Sequence, residues 1–100
     1  MKQRVVIFAP EARDDLIALY DWIADAASEQ VAIGYVQRLE IFCKGLANAS
    51  ERGQARPDIR PNLRVLGFER RVTVAFSVES ASVEILRVFP KGRDWEAELS

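Results

Sequence analysis

Arginine is the residue type with the most to offer chemically in this chain. Arg56, Arg60, Arg64, Arg70 and Arg71 fall in one short run that contains no lysine. A guanidinium is always charged and offers a planar fork of donors. It can grip a carboxylate or phosphate with two bonds at once, but it has no acceptor and gives up no proton. The residues that could move protons are scarce. There is no histidine, which removes the usual neutral-pH base and every Ser-His or Cys-His dyad. One cysteine without histidine cannot supply a zinc site. Tyr20 and Tyr35 are the only tyrosines, and both fall on apolar helical faces. These residues fit binding of anions better than acid–base catalysis, and they imply no catalytic residue, no metal and no cofactor.

The spacing of the cations leaves two readings. Arg56, Arg60 and Arg64 recur every four positions. They can form one basic edge for carboxylates or phosphates of a partner, or pair locally with acids such as Asp58, Glu51 and helix carboxylates. Arg70 and Arg71 fall at a tight connection, so at least one should be exposed. Arg87 lies in an otherwise apolar stretch and must find a partner or reach an open face. Lys91, Arg93 and Trp95 form a basic-aromatic tail beside Asp94, Glu96 and Glu98. Trp95 can anchor a contact of the hot-spot type or fold back over the sheet, with Arg93 paired to Asp94 or Glu96. Lys91 and Arg93 read as contact residues.

The elements that position these groups follow from periodicity. Arg4 to Phe8 is β-branched and aromatic, a first strand. Pro10 fits a first helical position, and Glu11, Asp14 and Asp15 favour the positive end of a helix dipole. Ala12, Leu16, Leu19, Tyr20, Ile23 and Ala27 predict an amphipathic helix over 11–26. Its outer face carries Asp14, Asp21 and Asp25, an ordinary solvated acidic face. Trp22 belongs either to the core edge or to a partner-facing surface.

Ser28 suits the N-cap of a second helix running to about Ala49. Gly34 and Gly45 inside it suggest close approach of the two helices, and Gly53 suits the end of the region. The lone Cys43 sits in the apolar pattern as a small hydrophobe. Strands follow at Leu63–Phe68, Val72–Val78 and Val83–Phe89, the second with clear alternation. Glu69-Arg70-Arg71 and Glu79 to Ser82 connect them into an antiparallel meander. The predicted fold is α+β, βααβββ, a helical hairpin on one face of a mainly antiparallel sheet, with residues 1–100 as one domain.

Length and composition agree with a small domain that needs no staples. No apolar run reaches the roughly 18–20 residues of a membrane span, and the first apolar stretch is too short for a signal-peptide core. A cytoplasmic protein is expected. The net charge of −1 conceals a basic region over 51–93, which points to a local patch for an acidic partner rather than general nucleic-acid binding.

Taken together, Phe8 to Ala12, the segment Arg56 to Arg64, the Phe68 to Arg71 turn and the closing Gly92 to Glu96 resemble the ParE branch of the RelE/ParE toxin superfamily. The likeness spans essentially the whole chain. It implies the toxin of a type II toxin–antitoxin system, acting on DNA gyrase by binding rather than catalysis. It also implies a ParD-like antitoxin partner in a hetero-oligomer built on an antitoxin dimer, with operator DNA bound only through the antitoxin. The alternative is a RelE-like, ribosome-dependent mRNA endoribonuclease, in which Arg64, Arg71 and Arg87 would converge on one sheet face. Such nucleases use basic side chains and usually a terminal tyrosine. Here the central strands lack lysine and Trp95 stands near the terminus, which favours the binding branch. One helical layer and a last strand apolar on both sides lead to a further expectation: an uncovered second sheet face, bordered by the arginine run, that holds a partner.

Overall fold

A computed structural model describes residues 3–99. Strand β1 (Val5–Phe8) leads into helix α1 (Pro10–Ala26), helix α2 (Glu29–Lys44) and a 3₁₀ turn (Gly45–Ala47). Strands β2 (Gln54–Ala55), β3 (Leu63–Phe68), β4 (Val72–Val78) and β5 (Ser82–Pro90) follow, then helix α3 (Trp95–Leu99). The strands form one sheet in the order β1-β5-β4-β3-β2. β1 lies parallel to β5, and the remaining pairs are antiparallel. The expected α+β architecture and its helical hairpin are present.

Local chemistry explains the helix limits. Pro10 occupies the first turn of α1, where its missing N–H costs nothing. The Ser28 hydroxyl caps α2 by accepting from the Val31 amide at 3.1 Å. Helix α2 ends at Lys44 rather than Ala49, and the chain tightens into the 3₁₀ turn Gly45–Ala47. Contrary to the expectation from sequence, Gly34 and Gly45 do not bring the helices together. A Cβ on Gly34 would meet only the Arg38 guanidinium, at 3.7 Å, and one on Gly45 would meet nothing. Gly53 is different. Its φ is +78°, and a Cβ there would lie 2.2 Å from the Val65 carbonyl oxygen, so only glycine fits.

The helical hairpin and the 3₁₀ turn after it bury Ala12, Tyr35, Leu39, Cys43 and Leu46 against Val72, Val74, Phe76, Val83, Ile85 and Val88 of the sheet. Cys43 is wholly buried, and burial pushes its thiol pKa up to about 12, so it stays an inert hydrophobe at neutral pH. In β4 and β5 the register slips between Ala75 and Phe76. Leu86 becomes the extra residue and turns to the other face beside Phe89. That bulge lets one strand feed two cores.

The second face is covered, contrary to expectation. Leu63, Val65, Ala75 and Phe89 are buried there beneath Leu99, with Ile59, Leu86 and Trp95 packed around them. The cover is α3 and the loop before β3. Five residues at the end of the chain suffice because this apolar patch is small. The expected partner face on this side does not exist. Large exposed apolar side chains lie instead on β1 (Val5, Ile7) and the helical hairpin (Ile17, Trp22, Val31, Ile33, Ile41).

Candidate partner-binding groove

The described residues contain no cluster of His, Cys, Asp and Glu able to hold a metal, and no helix long and apolar enough to cross a membrane. An open groove of about 1120 Å³ lies where the helical hairpin overhangs the ends of β4 and β5. Helix α1 contributes Ala18, Leu19, Trp22, Ile23 and Ala26; α2 contributes Val31, Gly34 and Tyr35; the strands contribute Val72, Val88 and Pro90. Periodicity makes this floor. The positions that bury the hairpin deeper in its length project here beyond the end of the sheet, so Trp22 is left about two-thirds exposed. Arg38, Arg71, Lys91 and Arg93 stand around the rim.

Two of the rim cations make no side-chain bond among the described residues, although the Arg71 charge is felt by Glu69. Arg71 and Lys91 are exposed, as are Arg60 and Arg70 elsewhere, and none forms a side-chain hydrogen bond or ion pair among the described residues. The Lys91 amide donates to the Arg71 carbonyl at 2.8 Å, which fixes the two charges side by side. Arg70 sits at the tip of the β3–β4 hairpin. Glu69 and Arg70 have φ of 50° and 58°, and the Arg71 amide donates to the Phe68 carbonyl at 3.0 Å. This is a type I′ turn built without the usual Asn-Gly pair. Left-handed backbone in such residues is strained by roughly 1 kcal/mol or more each.

The other cations named from sequence are engaged within the fold. Arg56 pairs with both Asp58 oxygens at 3.0 and 2.8 Å and with Glu96 at 2.7 Å, and it lies over the Trp95 ring. Its guanidinium is therefore held more firmly protonated, first by Asp58 and then by Glu96, and Asp58 falls below its ordinary pKa. Arg64 donates to the carbonyls of Glu51, Arg52 and Gly53, bracing the loop rather than binding an acid side chain. Arg87 makes a two-bond pair with Asp15 at 2.8 and 3.1 Å. Arg93 pairs with Glu98, not with Asp94 or Glu96. Trp95 folds back over the second core. Arg64, Arg71 and Arg87 therefore have three different roles.

Sequence reasoning missed the most tightly linked group in the groove. Arg38 donates to Glu69 at 3.0 and 3.1 Å and lies 5.4 Å over the Tyr35 ring. Its side-chain bond to Glu69 keeps Arg38 protonated and holds the Glu69 carboxyl below its ordinary value. Burial, and then the Glu69 charge, raise the Tyr35 phenol. Arg38 and Glu69 are thirty-one positions apart, and no local pattern joins them.

A family profile described as "ParE toxin of type II toxin-antitoxin system, parDE" matches residues 6–95. The chain belongs to the ParE toxin family. The match takes in β1, the hairpin and every strand. A ParE-like architecture is also seen in a solved structure titled "Chromosomal ParDE TA system from P. aeruginosa", 26% identical, with a TM-score of 0.77, covering 90% of this chain and 98% of that one. No curated protein matches the chain. In ParE terms, the sheet, the hairpin and the closing Gly92 to Glu96 segment expected from the sequence resemblance are all in place.

Proposed function

We propose that this ParE toxin inhibits DNA gyrase by binding, and that a ParD-like antitoxin silences it by seating an acidic, amphipathic segment in the groove. The observation that carries this reading is the groove itself: an apolar floor with an exposed tryptophan, rimmed by the unpaired Arg71 and Lys91 in an acidic chain. Such a site fits the helix-in-groove mode of recognition. The whole chain acts as one domain in a cytoplasmic hetero-oligomer built on an antitoxin dimer, which alone contacts operator DNA. Arg60, Arg70, Arg71 and Lys91 are the cations left for the antitoxin or the target.

Binding without catalysis is supported by the proton-transfer inventory. Tyr35 is buried and its phenol is harder to ionise than usual, so it is a poor base near neutrality. Arg64 and Arg87 spend their donors on the fold. The test is a supercoiling assay with purified gyrase run beside a ribosome-dependent mRNA cleavage assay. Supercoiling should be inhibited or cleaved complexes should accumulate, and added antitoxin should reverse the effect. Robust mRNA cleavage with no effect on gyrase would establish the RelE-like alternative instead.

A further inference from the structure

Two residues of the β3–β4 turn hold left-handed backbone, and only one of them gains anything inside the fold. Glu69 has a φ of 50° and accepts two bonds from Arg38, at 3.0 and 3.1 Å, which tie the turn to helix α2. Arg70 has a φ of 58° and stands where a type I′ turn takes glycine. It is exposed, and its side chain makes no hydrogen bond, ion pair or ring contact among the described residues. Strain at non-glycine residues gathers at functional sites, where the surroundings impose it. Glycine would serve this turn better, so the fold does not account for an arginine here.

The groove does not account for it either. Glu69 and Arg71 line the groove, and Arg70 between them does not. The turn is closed by the Arg71 amide on the Phe68 carbonyl and braced from α2 through Glu69. Arg70 is thus carried at a fixed tip, outside the lining that an antitoxin segment would touch.

We infer that Arg70 is the toxin's anchor for its target, a guanidinium at a braced hairpin tip that docks on a carboxylate of an acidic protein surface. The assignment rests on the gyrase reading given above and divides the free cations between the two partners: Arg71 and Lys91 serve the antitoxin, Arg70 the target. One guanidinium at a tip suits one carboxylate, because its fork makes two bonds at once. Arginine is also among the residues that carry most of the energy of protein interfaces. A nucleic-acid backbone fits less well. Affinity for phosphates grows with the number of cations that neutralise them, and this chain has a net charge of −1 with Asp14, Asp21 and Asp25 exposed on α1. Target binding and antitoxin binding are therefore separable at a single residue.

The experiment uses the full chain, purified gyrase and the cognate antitoxin. The toxin concentration that half-inhibits supercoiling, the Kd for the antitoxin and the melting temperature are measured for wild type, Arg70→Gly and Arg70→Gln. Both variants should need about tenfold more toxin for half-inhibition, with antitoxin affinity unchanged. Arg70→Gly should melt about 2–8 °C higher, because the turn is relieved. Arg70→Gln keeps the strained backbone and should melt with wild type, so its loss of inhibition reports the charge alone. Undiminished inhibition by either variant would overturn the assignment, as would a parallel loss of antitoxin affinity, which would place Arg70 in the antitoxin interface; both leave the gyrase reading intact. Binding of wild type to bare duplex DNA that Arg70→Gly abolishes would move the contact to phosphate and overturn the acidic protein surface. Wild-type toxin with no effect on gyrase would overturn the assignment and the gyrase reading together.

Discussion

Val74 and Ala75 are neighbours in β4 and both wholly buried, yet they belong to different cores. Val74 looks toward the two long helices. Ala75 looks toward five residues at the end of the chain and a loop. The helix side has more apolar surface than the sheet can cover, and the excess becomes the groove. The other side has just enough, and it is closed by Leu99, Ile59 and Trp95. The charges follow the same division. Around the closed side, Arg56, Arg87 and Arg93 are tied to Asp58, Asp15 and Glu98. Around the groove, Arg71 and Lys91 are unpaired. The sealed face has its arginines tied down as straps, whereas the open groove, with Arg38 tied to Glu69 and Arg93 to Glu98, still keeps Arg71 and Lys91 for a partner.

The comparison can be broken most forcefully in the large core. Phe76→Ala should cost about 3–5 kcal/mol, read as a lower melting temperature, and a loss below 1 kcal/mol would mean that this core is not the main one. Leu99→Ala tests the lid. It is 3% exposed, so about 2 kcal/mol should be lost, with antitoxin affinity unchanged. Trp22→Ala should do the reverse: stability within about 0.5 kcal/mol of wild type and antitoxin binding weaker by about 2 kcal/mol by calorimetry. Arg70→Gly should stabilise the free toxin by about 0.5–1 kcal/mol by relieving the left-handed turn, while weakening contact with the target in the gyrase assay.

The smallest effect is a titration. Asp58, on the strapped side, and Glu69, at the groove, both ionise below their ordinary values of 3.8 and 4.5. A lowered carboxylate contributes stability that is present above the ordinary value and lost as pH falls through the lowered one. Acid unfolding curves should show this below about pH 4.5, and Glu69→Gln should remove only the groove's share. No change in that variant would mean that the Arg38–Glu69 pair is absent in solution.

The elements with long, regular patterns were legible in the sequence: β1, both long helices and the β3–β5 meander. The two-residue β2 and the five-residue α3 were not, since neither is long enough to show a period. Without that cover, the apolar doubling of Ile85-Leu86 and Val88-Phe89 predicts an open face. The site was less legible than the fold. An arginine's role depends on which acid folding brings near, and Asp15 reaches Arg87 from 72 positions away. Tyr35 matches its apolar helical position so well that no pattern marks its hydroxyl. Trp22 was noticed, but only the end of the sheet decides that it faces solvent.

Asp15 also has a consequence for how the toxin stays apart from its neighbours. β1 accompanies β5 only as far as Phe8 beside Ile85, while β5 runs on to Pro90. Beyond that point the strand would present bare amides to any passing chain. The Asp15 carboxylate accepts the Val88 amide at 2.8 Å while holding Arg87, so a helix side chain stands in for the missing strand. The same acid that binds the arginine therefore blunts a sheet edge, and its replacement by alanine would open a seam for chain-to-chain pairing.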